Sequence, residues 1–147
     1  MKSCYEEIKI VAPEIIYPLR EEVIIKGTDR SKNSFDGDHE KESFHTALLI
    51  AGEVLACASF FQRAFENQKA FQLRGMAVKE SHRGKGLGYR LMQYSEAVSK
   101  DKGIYFLWAN ARIKAVNFYL KMDWVAQAKT FEVKGVGPHK RITKKLL

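Results

Sequence analysis

The sequence predicts an α/β fold of the α+β kind, in which a mixed, largely antiparallel and twisted sheet is flanked by helices. A length of 147 residues, of which 46% are hydrophobic, suits one globular domain with its own core. Apolar runs and stretches of helical spacing follow one another in the order βα, three strands, αβα, two strands. No repeat, low-complexity tract or linker divides the chain, so we expect a single domain over residues 1–147.

The first elements are a strand and a helix that precede a long loop. IKIVA (8–12) has the apolar content of a strand, and Pro13 stands at the first turn of a helix over 14–25. Pro18 lacks an amide hydrogen and is expected to kink or split that helix. The polar stretch 27–44 predicts a long loop of the kind that is usually functional or mobile, and we expect it to take part in substrate binding.

The middle and the tail of the chain supply the remaining strands. Two apolar runs that meet at Gly52 predict a β-hairpin, and AFQLRGMAV (70–78) predicts the strand after it. IYFLWA (104–109) predicts a buried strand, and residues 111–122 return to helical spacing. The last two strand candidates, WVAQAKTFEV and HKRITKKLL, flank the turn GVGP.

A glycine-rich turn, SHRGKGLG (81–88), opens a long amphipathic helix. Apolar side chains at i, i+4, i+7 and i+11 predict this helix from about residue 86 to residue 100. Lys79 stands where a Walker A loop needs glycine, and Tyr89 stands where a dinucleotide fingerprint needs a small residue. A glycine-rich entry to a helix nevertheless presents free N–H groups and a positive dipole end, so we expect an anion there, and a pyrophosphate fits.

These residues resemble the GNAT superfamily of acetyl-CoA-dependent N-acetyltransferases. Arg83, Gly86 and Gly88 match the Arg/Gln-x-x-Gly-x-Gly/Ala motif of that superfamily. The strand LRGMAV precedes the motif, and AVNFYLKMDW (115–124) is similar to its "FYxKxGF"-like segment. The resemblance covers about residues 70–124 and implies an acetyl-CoA-dependent transfer of an acetyl group to an amine by direct attack in a ternary complex.

The resemblance implies a binding site for acetyl-CoA along two backbone segments. The pyrophosphate would be held by backbone N–H groups of the loop, where side chains at the glycines would obstruct the phosphates and the two cations would add attraction. The pantetheine arm would pair with the strand before it as an added β-strand does. The implied binding residues are Met76, Ala77, Val78, Arg83, Gly84, Lys85, Gly86, Leu87 and Gly88.

Tyr119 matches the tyrosine that protonates the departing CoA thiolate in this superfamily. A positioned phenol suits that role, since sulfur leaves as an anion, and such a proton donor typically contributes ~10²–10⁴-fold. The alternative is that Tyr119 only packs the helix.

The sequence departs from the family pattern at Asp123-Trp124, where Gly-Phe is usual, although Asp tolerates a left-handed turn. Arg112 stands where many relatives carry Asn.

The general base stays unassigned at this stage, because the strand 70–78 carries no carboxylate. A carboxylate, a histidine or a water chain has to accept the proton of the amine. The candidates are Glu42, His45, Glu80 and His139. Four acidic residues that crowd the long loop, Asp36, Asp38, Glu40 and Glu42, either attract a cationic amine or form a solvated loop.

Composition limits the other function classes. A formal charge of +8 favours anionic partners, so the alternatives are a basic nucleic-acid-binding protein and an acyl-CoA binder without catalysis. No helix-turn-helix or RNP-like motif supports nucleic-acid binding.

Cys4 and Cys57 are expected to be ordinary thiols, and no metal site is indicated. The sequence shows no signal peptide and no run of 18 apolar residues, so we expect a cytoplasmic protein without membrane contact, and a homodimer stays open.

Overall fold

The computed structural model describes residues 5–28 and 32–147. Its strands are β1 (Glu6–Val11), β2 (Phe44–Ile50), β3 (Glu53–Gln62), β4 (Phe71–Val78), β5 (Phe106–Arg112), β6 (Val125–Val133) and β7 (Gly137–Lys145). Its α-helices are α1 (Pro13–Arg20), α2 (Leu87–Asp101) and α3 (Ile113–Leu120). The predicted fold class and order of elements are confirmed. Within the described ranges, no helix is long and apolar enough to cross a membrane.

The strands form one sheet in the order β1-β2-β3-β4-β5-β7-β6. Neighbouring strands are antiparallel except β4 and β5, which are parallel and therefore need the α2 crossover between them. The ladder between β4 and β5 consists of two residue pairs, Phe71 with Leu107 and Gln72 with Trp108. Beyond these pairs the two strands diverge, and this gap positions the candidate site.

The two faces of the sheet are covered by different helices. On one face, Ile16 and Leu19 of α1 pack against Ala47, Cys57 and Ala77. The other face carries the larger core, beneath α2 and α3. Burial raises the pKa of the Cys57 thiol to about 12, so this cysteine stays protonated. The expectation for Cys4 lies outside the described residues.

The first helix differs from its prediction at the proline. The chain continues as an α-helix through Pro18 to Arg20, and a π-helical turn follows over Glu21–Ile25, so a split of the helix at Pro18 is wrong. Pro18 lacks the N–H that would donate to the carbonyl of Glu14. Both residues are exposed, so this carbonyl lies on the side of the helix that solvent can reach. The π-helical turn begins at Glu21, three residues after Pro18. By that point Ile16 and Leu19 already pack α1 against the sheet.

A second difference lies at the junction of β5 and α3. The sequence predicts that the strand ends at residue 109 and that a helix begins at residue 111, whereas β5 continues to Arg112. The extra residues are held extended because Ala111 and Arg112 pair with Lys140 and His139 of β7. Pairing with a strand distant in sequence therefore overrides the local helical spacing.

A buried ion pair fastens the long loop to the sheet. The guanidinium of Arg20 donates to Asp38 at 2.8 and 3.2 Å, and it also donates to Ser59 Oγ at 2.7 Å and to the carbonyl of Asn33 at 2.9 Å. His45 joins the same cluster, with Nδ1 2.7 Å from Ser59 Oγ and Nε2 2.8 Å from the carbonyl of Asp38. We call these residues the Arg20 hub. It connects α1, the loop, β2 and β3.

The hub fixes the charge states of its members. Burial by itself would raise the pKa of Asp38, but hydrogen bonds from Arg20 and from the Phe35 N–H, together with the charge of Arg20, outweigh it and hold that pKa below its usual range. Burial lowers the pKa of His45, so its imidazole is neutral at pH 7. The hub therefore consists of one buried ion pair and neutral polar partners.

We expect Arg20→Met to lower the free energy of unfolding by about 3–5 kcal/mol, because it leaves the Asp38 carboxylate buried without its cation. The measurement is urea unfolding at pH 7, with Arg63→Met as the control, since Arg63 forms an exposed pair with Glu40. A lowered pKa in the fold means that the stabilisation is present above about pH 4 and is lost as the pH falls through the lower folded value. Asp38→Asn should flatten this acid dependence, and equal losses for both arginine variants would contradict the buried-pair account.

Candidate active site

A cavity of about 310 Å³ lies where β4 and β5 diverge. Both strands, α3 and β7 contribute side chains to it, together with the residues that follow α1 and the long loop. Its lining consists of Ile24, Phe35, Gln72, Leu73, Arg74, Gly75, Met76, Ala109, Asn110, Ala111, Arg112, Ala115, Tyr119, Val133, Val136 and His139. Because the β4–β5 ladder ends at Gln72, the backbone of β4 beyond it has an edge without β5 pairing.

A bulge in β4 shapes one wall of this cavity. Arg74 pairs with Ser59 and Ala77 pairs with Cys57, so the register shifts by one residue at Gly75. Gly75 has φ +65°, and a Cβ there would stand 2.9 Å from the ring of Phe35. Glycine is therefore required both by the left-handed backbone and by the packed ring.

Phe35 extends the wall from the long loop. Its ring lies beneath the Arg20 guanidinium, at 3.9 Å from centroid to Cζ, and the Arg74 guanidinium lies 4.5 Å from the same centroid. The Phe35 N–H donates to Asp38 at 2.8 Å. The Arg20 hub thus places an aromatic side chain of the loop against the bulge of β4.

The glycine loop leads directly into α2. Gly84 and Gly86 have φ of +77° and +78°, and Gly86 is the N-cap residue of the helix, without a side-chain cap. The first turn of α2 carries no acidic residue, whereas Arg83 and Lys85 lie exposed beside it. Uncapped N–H groups, the dipole end and two cations make this loop fit a pyrophosphate.

The structure gives a packing reason for glycine at position 88. The approach of phosphates to this glycine stays a prediction. In the structure, a Cβ at Gly88 would stand 2.9 Å from Phe118 Cζ and 3.0 Å from Met76 Cε. Glycine here lets α2 pack closely on β4 and α3, and it links the glycine loop to the cavity through Met76.

The three predicted strand residues differ in their surroundings. Met76 lines the cavity, Ala77 is buried towards α1, and Val78 is half-buried, with its carbonyl 3.3 Å from Arg83 Nε. Ala77 and Val78 pair with β3 on one edge. The other edge of this segment faces the gap towards β5, which is where an extended arm can add as a strand.

Tyr119 lies on α3 and lines the same cavity. It is 6% exposed, and its ring packs edge-on against Phe118 and Trp124. Its hydroxyl has no hydrogen-bond partner within the described residues. Burial raises the pKa of Tyr119, so the phenol keeps its proton at neutral pH. Asp123 has φ +67°, which confirms the left-handed turn expected at that departure from the family pattern.

Of the four candidate bases, His139 is the one that lines the cavity. His45 belongs to the Arg20 hub, and Glu42 and Glu80 are exposed outside the cavity lining. His139 is 5% exposed, and its Nδ1 lies 2.8 Å from the carbonyl of Gly137. If Nδ1 donates there, Nε2 carries the lone pair, and Nε2 has no partner among the residues that the structure describes.

Arg74 and Arg112 line the cavity and are not among the site residues expected from the sequence. Arg74 stands in the middle of the apolar strand LRGMAV, which is a signal of its own, because a buried strand seldom carries a cation. Arg112 ends β5, and its Nη2 donates to the carbonyl of Ile24 at 3.0 Å. Across the described ranges, no three His, Cys, Asp or Glu side chains gather in a way that could hold a metal ion.

Comparison with protein families places the chain among known acetyltransferases. The model of the acetyltransferase (GNAT) family matches residues 11–124, a span that runs from the end of β1 to the residue before β6. The chain belongs to the GNAT family. It is therefore an acyltransferase by family, and the resemblance found in the sequence is confirmed.

Individual relatives agree with this membership of the GNAT family. YitI of Bacillus subtilis (strain 168), an uncharacterized N-acetyltransferase, is 28% identical over 136 residues, covering 90% of this chain and 91% of YitI. ElaA of Escherichia coli has a TM-score of 0.79 at 17% identity, over 96% of this chain and 100% of that one. An aminoglycoside 6'-N-acetyltransferase complexed with coenzyme A has a TM-score of 0.73 at 12% identity, over 96% and 97%. The GNAT fold binds acetyl-CoA or CoA.

We expect Gly88→Ala to destabilise this GNAT domain by about 1 kcal/mol, because the added methyl group overpacks the contact between α2 and Phe118. Phe118→Leu should recover part of that loss, with a coupling of about 0.5–1 kcal/mol in a double-mutant cycle. Urea unfolding of the four proteins measures it. Gly84→Ala is the control, since its methyl group meets nothing within 4 Å and should not couple to Phe118. Additive effects at Gly88 would contradict the packing role.

Proposed function

We propose that this protein is an N-acetyltransferase that transfers the acetyl group of acetyl-CoA to the amine of a small molecule, by direct attack in a ternary complex. The observation that carries the proposal is the cavity between β4 and β5, which Tyr119 and His139 both line together with Met76, the residue that packs against Gly88. A peptide amine is the second class of acceptor. The cytoplasmic location and the homodimer stay predictions.

The glycine loop and the free edge of β4 are the proposed site for acetyl-CoA. The backbone of residues 83–88 would hold the pyrophosphate, where the uncapped start of α2 supplies N–H donors. The backbone of residues 76–78 would pair with the pantetheine arm, which then runs along the gap towards Tyr119. Acetyl-CoA supplies a thioester, which is an acyl group already activated for attack by an amine.

Tyr119 and His139 have the chemistry that the transfer requires. As the new N–C bond forms and the C–S bond breaks, His139 Nε2 takes the proton from the amine, and the Tyr119 hydroxyl gives its proton to the sulfur. The proton on His139 then returns through water to the Tyr119 oxygen, so both residues are restored. Burial raises the pKa of Tyr119, so its hydroxyl is protonated at neutral pH and can hydrogen-bond to the sulfur as negative charge develops there.

Acetyl-CoA should bind the protein saturably in a calorimetric titration, and Lys85→Glu should weaken that binding by about 10-fold or more, because it places a carboxylate beside the phosphates. Lys129→Glu makes the same charge change on the exposed face of β6 and should bind normally. Tyr119→Phe should also bind normally, while its kcat for amine-dependent thiol release falls by about 10²–10⁴-fold. Binding without any thiol release would instead identify a non-catalytic acyl-CoA binder, and the absence of binding would contradict the proposal.

His139→Gln should retain the affinity for acetyl-CoA and lower kcat/KM for the amine by about 10²–10⁴-fold. His39→Gln is the matched control, because His39 is exposed and pairs with Glu14 outside the cavity. A His139→Gln variant with the wild-type kcat/KM for the amine would remove His139 from the mechanism.

A further inference from the structure

We infer that Glu6 and Arg90 form a brace that holds the glycine loop in the shape that binds the pyrophosphate of acetyl-CoA, with Arg90 as a positioning residue. The inference rests on the proposed function, because that function puts acetyl-CoA at this loop. It also gives a role to β1, a strand that contributes no residue to the cavity lining within the described ranges.

The guanidinium of Arg90 connects two separate parts of the chain. Arg90 lies in the first turn of α2, and its Nε and Nη2 donate to the two carboxylate oxygens of Glu6 on β1, at 3.0 and 2.5 Å. Its third nitrogen, Nη1, donates to the carbonyl of Lys85 at 3.3 Å. Each nitrogen of the guanidinium is thus bonded, two of them to a strand 84 residues away and one to the glycine loop.

The backbone of the glycine loop has few restraints of its own. Among the residues that the structure describes, no backbone carbonyl accepts a hydrogen bond from the N–H of Gly84, Lys85 or Gly86. Both of these glycines have positive φ, and glycine leaves the chain more conformational freedom than other residues do. The bond from Arg90 therefore restrains a segment that secondary structure does not hold.

The same bond sets the direction of one N–H donor. A trans peptide is planar, with its C=O and N–H on opposite sides, so the N–H of Gly86 points away from the guanidinium that holds the carbonyl of Lys85. A Cβ on Gly86 would stand 3.3 Å from Arg90 Nη1, so the guanidinium lies directly against this residue. The N–H on the far side of the peptide is therefore kept available for an anion.

The carboxylate of Glu6 favours a positioning role for Arg90 over simple attraction. Hydrogen bonds from Arg90 lower the pKa of Glu6, so this carboxylate is charged at neutral pH and offsets the charge of Arg90. An arginine that served the phosphates by its charge would be weakened by such a partner. Glu6 is itself anchored, because β1 pairs with β2 from Glu6 to Val11. The strand thus fixes the guanidinium, and the guanidinium fixes the loop.

The decisive experiment is a calorimetric titration of acetyl-CoA into the wild type and two brace variants, at about 0.3 M salt so that long-range attraction between exposed charges is largely screened. Arg90→Lys keeps the charge but lacks the planar fork that bonds Glu6 and the Lys85 carbonyl together, and its affinity should fall about 3- to 10-fold. Glu6→Gln keeps the shape of the side chain but loses the charge that fixes Arg90. It should weaken binding about 2- to 5-fold.

Arg63→Lys is the matched control. Arg63 forms the same kind of exposed, two-bond pair with Glu40, at 2.8 and 3.1 Å, outside the glycine loop. This variant should bind acetyl-CoA as the wild type does. All three variants should keep the wild-type midpoint in urea, because exposed ion pairs contribute little to stability. A loss of affinity in the brace variants would then arise from the loop and not from a weakened fold.

Nuclear magnetic resonance relaxation of the free protein tests the brace without any ligand. The amide order parameters of Gly84, Lys85 and Gly86 should be lower in both brace variants than in the wild type, since the loop loses its restraint. Arg63→Lys should leave these order parameters unchanged.

The outcomes separate this inference from the proposed function. Wild-type affinity in Arg90→Lys, or tighter binding in Glu6→Gln at this salt concentration, would overturn the brace. Unchanged order parameters in both brace variants would overturn it as well, whatever the titrations show. A wild-type protein that does not bind acetyl-CoA would count against the proposed function, and the relaxation data would still decide whether Glu6 and Arg90 order the loop.

Discussion

The early end of the β4–β5 ladder is the constraint on which the rest of the structure depends. Two parallel strands joined by a helical crossover pair at Phe71 and Gln72 and then separate, and the bulge at Gly75 marks the place where β4 changes register. A fully paired sheet would leave no space there. Because the strands separate, α3, β7 and the long loop can each direct side chains into one cavity in the middle of the sheet.

Helix α2 connects this gap to the glycine loop. The close contact of Gly88 with Met76 and Phe118 means that the start of α2, the end of β4 and helix α3 pack as one unit. Under the proposed function, backbone N–H groups at the start of α2 would hold the pyrophosphate. This packing would fix their position relative to the cavity.

The sequence allowed the order of elements, the glycine loop and the Tyr119 segment to be predicted, because each depends on local spacing or on a short motif. The continuation of α1 through Pro18 and of β5 to Arg112 could not be predicted, since packing and strand pairing override the local pattern there. The walls of the cavity were also missed. Phe35 lines the cavity because its ring packs against Gly75, which lies 40 residues later in the sequence. A contact between residues so far apart leaves no periodic pattern in the sequence.

The Arg20 hub has a thermodynamic consequence for substrate capture. Because Arg20, Asp38 and Ser59 already hold the loop against the sheet, Phe35 occupies its place in the wall before any acceptor arrives. Association then orders few additional torsions, so little conformational entropy is lost on binding. Under the proposed function, a small acceptor that makes few contacts could still bind to this preordered wall. If the wall had to order on binding, the entropy lost would offset most of the free energy of those contacts.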